Sequence, residues 1–210
     1  MECSVTKHNK AIAHLCKVDP ELAKVIKRVG PYAGKLRPMP NLFHALCQAI
    51  SYQQLSGKAA ETIFGRFMLL AGDPLDAERV AKISDEQVRA CGLSRPKLAA
   101  IRDLQAKTLE GVLPRHDELQ AMPDELIIER LTCVRGIGRW TAEMILMFRL
   151  GRPDVLPVND LGIQKGFKLA FGKRKLPSPE TLEKHGRKWA PYRSYASWYL
   201  WRVLELPAQA

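Results

Sequence analysis

Two glycines one residue apart, Gly136-Ile137-Gly138, stand between two stretches of helical periodicity, and this turn restricts the fold more than any other feature of the chain. Ahead of it Ile127, Leu131 and Val134 recur at i, i+4 and i+7, which predicts a helix with one apolar stripe. The glycines themselves predict a reversal through positive φ that leaves no side chain between the main chain and whatever approaches it. Beyond the turn, the run from Ala142 through Ile145, Leu146, Met147 and Phe148 to Leu150 is apolar nearly all round, the pattern of a helix buried between others. That helix starts near Gly138, so its unpaired N–H groups and positive dipole end face out of the turn, where a phosphate would sit. The turn therefore reads as a helix-hairpin-helix clamp for a nucleic-acid backbone.

The charge balance agrees. Lys and Arg number 33 against 22 Asp and Glu, a formal net charge of +11, which favours a polyanionic partner. With 210 residues and 46% hydrophobic content the chain can bury a proper core. No run approaches the ~20 apolar residues that span a bilayer. The first ten residues, MECSVTKHNK, lack the apolar centre of an export signal, so the expectation is a cytoplasmic or nucleoid-associated protein, nuclear in a eukaryote, and not secreted. Cys3, Cys16, Cys47, Cys91 and Cys133 are scattered singly, which predicts reduced and mostly buried thiols.

Taken in order, the chain reads as helix after helix. Residues 5–29 predict two short helices, the second capped by Asp19 and opened by Pro20. A basic, Pro-containing connector follows, and then Leu42, Ala45, Leu46, Ala49 and Ile50 mark a helix that ends in Ser51-Tyr-Gln53-Gln54-Leu55-Ser-Gly-Lys58. Two adjacent glutamines and a leucine at a junction read most simply as a polar corner with one core leucine. Ser84 to Cys91 predicts a short helix stopped by Gly92, and Ser94 caps the next, in which Arg95 and Lys97 read as solvated charges. After the hairpin, Gly151-Arg-Pro153 breaks the helix and an extended run leads to Asn159-Asp160. By itself Asp160 reads as a helix cap, with Asn159 as its support or the true cap. The basic tract at residues 172–175 reads as a solvated loop. A final helical pair between about residues 179 and 205 carries Trp189, Trp198 and Trp201, the first two as core.

Gly136-Ile-Gly138-Arg-Trp140-Thr141-Ala142 followed by Val158-Asn-Asp160 resembles the helix-hairpin-helix (HhH-GPD) DNA glycosylase superfamily, most of all its alkylated-base branch, the 3-methyladenine DNA glycosylase II type. The similarity runs over residues 40–205 and is most specific at 51–58, 92–97, 134–142, 156–160 and 191–201. It implies an all-α fold in which two helical subdomains flank a DNA-binding cleft. One subdomain would be built from both termini, 1–39 with 154–210; the other, 40–153, is a central bundle that ends in the hairpin at about 124–150. Longer members of the branch carry a β-rich domain ahead of this core, whereas the 40 or so residues here show no strand pattern.

The resemblance also assigns roles. Asp160, twenty residues after Trp140, would be the catalytic aspartate, and capping is compatible with that, since a helix N-terminus favours negative charge. Leu55 would wedge into the duplex where the damaged nucleotide leaves it, with Gln53 and Gln54 as polar neighbours. Trp140, Trp201 and Met144 would line the base pocket, Met147 continuing the Met144 face. Gly136, Gly138, Arg139, Thr141 and Lys58 would hold the DNA backbone, and Arg193 would tie the tail to the Asp160 region by a charge-assisted bond. Endonuclease III-like relatives place a nucleophilic lysine where Trp140 stands, so Schiff-base strand cleavage is not expected. Nothing after Cys133 supplies the four cysteines of an iron–sulfur cluster. No metal or organic cofactor is implied, although hairpin carbonyls could hold a monovalent ion. The expected activity is that of a monomeric, monofunctional glycosylase of base excision repair that flips out alkylated, cationic purines such as 3-methyladenine and 7-methylguanine from double-stranded DNA. The alternatives are a glycosylase of the same fold for an oxidised or mismatched base, and a non-catalytic DNA-binding module.

Overall fold

The structure, a computed structural model, describes residues 2–207, with side chains from His8 onward. Those residues form helices α1 (Glu2–Val18), α2 (Pro20–Val29), α3 (Leu42–Tyr52), α4 (Gly57–Ala71), α5 (Ala77–Ala81) and α6 (Asp85–Ala90). The series continues with α7 (Arg95–Leu109), α8 (Asp124–Thr132), α9 (Arg139–Phe148), α10 (Leu161–Ala170), α11 (Pro179–Gly186) and α12 (Arg193–Arg202). Short 3-10 turns follow α11 and α12, and no strand occurs among the described residues. No helix among them is long and apolar enough to cross a membrane. The N-terminal helix is longer than the sequence pattern predicts, one unbroken element of 17 residues where a short one was expected. α5 has only five residues, too few to register as a period.

The helices fall into two units, Met1–Leu36 with Leu146–Ala210, and Arg37–Ile145. In the first, Leu15, Leu22, Val25, Ile163, Phe167 and Leu200 pack around the buried Trp189 and Tyr199. Trp189 is 0% exposed and Trp198 9%, so both are core residues, as their clustering predicts. Gly166 on α10 meets α12 main chain to main chain: a Cβ built at Gly166 would lie 1.9 Å from the Leu200 carbonyl oxygen. In the second unit Leu46, Ile50, Ile101, Leu104, Ile127 and Leu131 are buried, as the periodicity marks out. On α4, where the spacing predicts a stripe of Ala59, Ile63, Phe67 and Leu70, the buried face is instead Ala60, Phe64, Phe67 and Ala71, and Ala59 and Leu70 are exposed.

Among the described residues one carboxylate is buried inside the first unit. Asp19, 1% exposed, caps α2 through its Oδ1, which accepts from Leu22 N at 3.3 Å. Its Oδ2 lies 2.9 Å from His185 Nε2 and accepts from Trp189 Nε1 at 2.8 Å and Lys188 Nζ at 3.0 Å. Burial alone would raise this carboxyl, but the bonds from Trp189, His185, Lys188 and the Leu22 amide bring it below its ordinary range. A cap was legible at Asp19; the other donors come from residues about 170 positions away in sequence. The thiols of Cys47 and Cys91 are buried, Cys16 is half-buried and Cys133 exposed, against the expectation of general burial; the Cys3 side chain lies outside the described residues.

Two outcomes follow from this packing. Gly166→Ala forces α10 away from α12 and should cost about 3 kcal/mol or more, read as a lower urea midpoint. Asp19→Asn leaves three donors facing a group that can no longer take them all and should cost about 2–4 kcal/mol at neutral pH. Because the folded carboxyl is depressed, its contribution is whole above the unfolded value of about 4 and is lost as pH falls through the folded value. The gap in urea midpoint between wild type and Asp19→Asn should therefore narrow below about pH 4, and a constant gap would contradict the assignment.

Candidate active site and nucleic-acid interface

The hairpin is built by α8, the turn at residues 133–138 and α9. Ile127, Leu131, Val134 and Ile137 are all buried and anchor it from beneath. Gly136 has φ +79°, but Gly138 does not share a positive φ, contrary to the expectation for both glycines. Gly138 instead precedes the first residue of α9 and accepts the Ala142 N–H at 3.2 Å. A Cβ on Gly138 would meet nothing within 4 Å, so this glycine keeps the helix N-terminus open rather than turning the chain. The turn is also fixed by polar contacts: Arg135 N donates to Asp103 Oδ2 at 2.7 Å, and Gln53 Nε2 donates to Gly136 O at 2.9 Å. Burial would raise the Asp103 carboxyl, yet the Arg135 amide and Lys107 hold it down. The Val134 and Gly136 carbonyls each accept an N–H donor, from Ile137 and from Gln53. Among the described residues no cluster of His, Cys, Asp or Glu is arranged to hold a metal.

The side chains expected to hold DNA divide. Lys58, in the first turn of α4, is exposed. Arg139 is also exposed but is bound by Glu125, through NH2 to Oε1 at 2.6 Å and NH1 to Oε2 at 3.0 Å, and its Nε reaches Glu143 Oε1 at 3.2 Å. Glu125 and Glu143 raise the guanidinium further above its ordinary value, so its charge is engaged within the protein. The Thr141 side chain is buried, leaving its main-chain N–H as the group it can offer. On α9, apolar nearly all round as expected, Glu143 is 6% exposed: a buried carboxylate paired with Arg139. Trp140 is 49% exposed in the first turn of α9, and Met144 is half-buried one turn on.

At the α3–α4 junction the chain is strained. Gln54 has φ +56°, the one positive φ outside glycine among the described residues, and Leu55 beside it is 40% exposed. A non-glycine residue in this region costs ~1–3 kcal/mol, and such strain marks segments held for function. Gln53 points back to the hairpin, so of the expected trio only Gln54 and Leu55 are presented to solvent. Lys97, read as a solvated charge, is instead half-buried and donates from Nζ to Ser51 O at 2.8 Å.

The catalytic candidate lies in the first unit. Asp160 is the N-cap of α10, φ −74° and ψ 121°, and its Oδ1 accepts from Ile163 N at 2.7 Å and from Trp201 Nε1 at 2.9 Å. Asn159 is exposed and is not the cap. Fixing one oxygen from two directions fixes the carboxylate plane, and so the direction of Oδ2. The loop before it is stitched to α12. Arg193 forms a two-point ion pair with Asp154, Nε to Oδ1 at 2.7 Å and NH2 to Oδ2 at 2.9 Å, so the expected tie is made six residues ahead of Asp160. Ser194 Oγ donates to Arg152 O and accepts from Val155 N. Gly162 makes the approach of Trp201 possible, because a Cβ there would lie 2.9 Å from both Asp160 Oδ1 and Trp201 Cδ1. Sequence reading missed Gly162 and Gly166, although two glycines four apart in one helix are a visible sign of close helix packing. Trp201 is half-buried with its ring centroid 5.9 Å from Phe148, and Phe148 in turn lines a cavity of about 470 Å³ with Tyr32, Lys35, Met147, Arg152 and Tyr195.

Comparison with known proteins places this geometry. Residues 47–192 match the HhH-GPD superfamily base excision DNA repair proteins. DNA-3-methyladenine glycosylase 1 of Schizosaccharomyces pombe is 36% identical over 205 residues, 96% of this chain and 90% of that protein. The solved structure of the 3-methyladenine DNA glycosylase of the same yeast in complex with abasic DNA matches with a TM-score of 0.79, covering 94% of this chain and 97% of the other at 36% identity. A DNA-3-methyladenine glycosidase from Bacillus halodurans matches with a TM-score of 0.84 at 38% identity, over 92% of this chain and 88% of the other. The match over residues 47–192, together with 36% identity along nearly the whole chain, makes this helical protein a member of the HhH-GPD superfamily of base excision DNA repair proteins.

Proposed function

We propose that the protein is a monofunctional DNA glycosylase that releases alkylated, cationic purines such as 3-methyladenine and 7-methylguanine from duplex DNA and leaves the abasic strand intact. The observation that carries this reading is the Asp160 carboxylate, held at Oδ1 by the Ile163 amide and the Trp201 indole on a loop braced to α12. The similarity to an alkylpurine glycosylase solved on abasic DNA supports it.

A base inside the stack is out of reach, so the nucleotide is everted while the protein holds the backbone. The first-turn amides of α9, opened by Gly138, and the ammonium of Lys58 supply that hold. Leu55 fills the vacated stack and offsets part of the unstacking cost, a few kcal/mol per step. The exposed indole of Trp140 and the ring of Trp201 attract the cationic base at ~0.5–2 kcal/mol each, and Met144 adds a polarizable wall. The C1′–N bond then breaks with its electron pair leaving on the base, which cancels the positive charge already there. No general acid is needed. Asp160 stabilises the oxocarbenium-like sugar and orients a water, whose oxygen bonds to C1′ as its proton passes to the carboxylate and then to solvent. Trp140 stands where a strand-cleaving enzyme needs an amine, so no Schiff base forms. The enzyme acts as a single copy.

The test is incubation with methylated duplex. Free methylpurine should appear, and strands should break only after alkali. Asp160→Asn should lower release on the order of 10³-fold with abasic-DNA affinity little changed; full release by this variant, or tight binding by wild type with no release, overturns the reading. Gly162→Ala should push Trp201 off Asp160 and slow release about 10²-fold while lowering the urea midpoint less than Gly166→Ala does.

A further inference from the structure

Leu55 stands exposed on a turn that does little to hold itself. Gln54 is strained at positive φ, and Ser56, at the N-cap of α4, makes no side-chain capping bond. The turn is held from outside, by α7. Lys97, in the first turn of α7, reaches the last turn of α3 and donates to Ser51 O. Carbonyls in a helix's last turn lack intrahelical donors and carry partial negative charge, so an ammonium is favoured there. Burial lowers the affinity of this ammonium for its proton. Six residues along the same helix Asp103 accepts the Arg135 amide of the hairpin, and Gln53 joins the turn to the hairpin through Gly136 O. The three bonds close a loop from α7 to the wedge turn, to the hairpin and back to α7.

We infer that Lys97 is a positioning residue for base eversion, mounting the Leu55 turn on the same helix that fixes the hairpin. The inference rests on the glycosylase reading above. A wedge works only at a set height from the phosphates that the hairpin grips, and a displacement of ~1 Å in such a part can cost 10²-fold. Lys97 sets that height without touching the substrate.

The experiment measures release of 7-methylguanine from a cytosine pair and from a thymine mismatch, in which eversion is easier. Lys97→Met should slow release about tenfold from the matched pair and less than about threefold from the mismatch, whereas Lys97→Arg, which keeps charge and donors, should stay within about threefold of wild type on both. The double variant Lys97→Met with Leu55→Ala should be no slower than Leu55→Ala alone, because both changes remove one function. Equal loss on both substrates, or additive loss in the double variant, overturns the assignment. So does a weaker affinity for undamaged duplex with a salt slope reduced by about 1, which would make Lys97 a phosphate contact. Melting curves of each variant separate misfolding from these outcomes, and the Lys97→Arg arm decides the case if Lys97→Met does not fold. Should wild type release no methylpurine, the glycosylase reading fails and this inference falls with it; release by wild type with additive variants refutes the inference alone.

Discussion

The main-chain contact between α10 and α12 at Gly166 governs the first unit. A β-carbon there would overlap the Leu200 carbonyl, so the two helices lie closer than any other residue would permit. One turn earlier on α10, Gly162 extends the same close approach to the helix N-terminus, where it lets the Trp201 indole reach Asp160 Oδ1. The catalytic candidate is thus set by packing: α10 supplies the carboxylate as its own cap, and α12 supplies the donor that fixes its plane. The opposite end of α12 holds the beginning of the loop, through Arg193 with Asp154 and through Ser194 with Arg152 and Val155. A single helix therefore restrains the loop at its start and its finish, which is how a site carried on irregular backbone acquires the rigidity of an element.

The second unit solves a different problem. A phosphate clamp needs bare backbone, and bare backbone is mobile unless something else restrains it. Here the buried Val134 and Ile137 hold the hairpin from below, while Asp103 and Gln53 hold one amide and one carbonyl at its rim. Arg139 contributes in an unexpected way. Bound by Glu125 on α8 and Glu143 on α9, it pins the two helices of the hairpin together. Its charge serves the geometry of the hairpin.

Much of this was legible in the sequence because it is local. The apolar stripes of α2, α3 and α8, the Asp19 cap, the short helix that begins at Ser84 and the hairpin turn all depend on residues within one or two turns of each other. Asp160 could be named because its distance from the hairpin resembles a known pattern. What stayed hidden is whatever depends on distant partners. Lys97 looks like any surface lysine until α3 is seen to end beside it, and Arg139 looks like a phosphate ligand until Glu125 is seen to face it. Gly138 shows a subtler limit. The spacing of the two glycines is visible, but which one turns the chain and which one merely leaves space is decided by backbone angles that the pattern does not encode.

Asp19 and Asp160 show how one local motif is put to two uses. Each caps a helix through Oδ1 and the amide three residues on, and each receives an indole N–H from the C-terminal tail, from Trp189 and Trp201 respectively. The difference lies in which oxygen the indole takes and in what surrounds it. At Asp19 the indole, His185 and Lys188 all converge on Oδ2 inside the core, so both oxygens are committed and the group is a structural hub. At Asp160 the amide and the indole share Oδ1, and the residue is only half-buried. Two donors on one oxygen orient the carboxylate, which suits the role proposed for it beside positive charge developing on a sugar. A reaction whose leaving group departs neutral requires no second, proton-donating carboxyl of the kind that hydrolysis of ordinary glycosides employs. On the proposed reading one anchored anion is sufficient chemistry, and the fold's task reduces to holding it still.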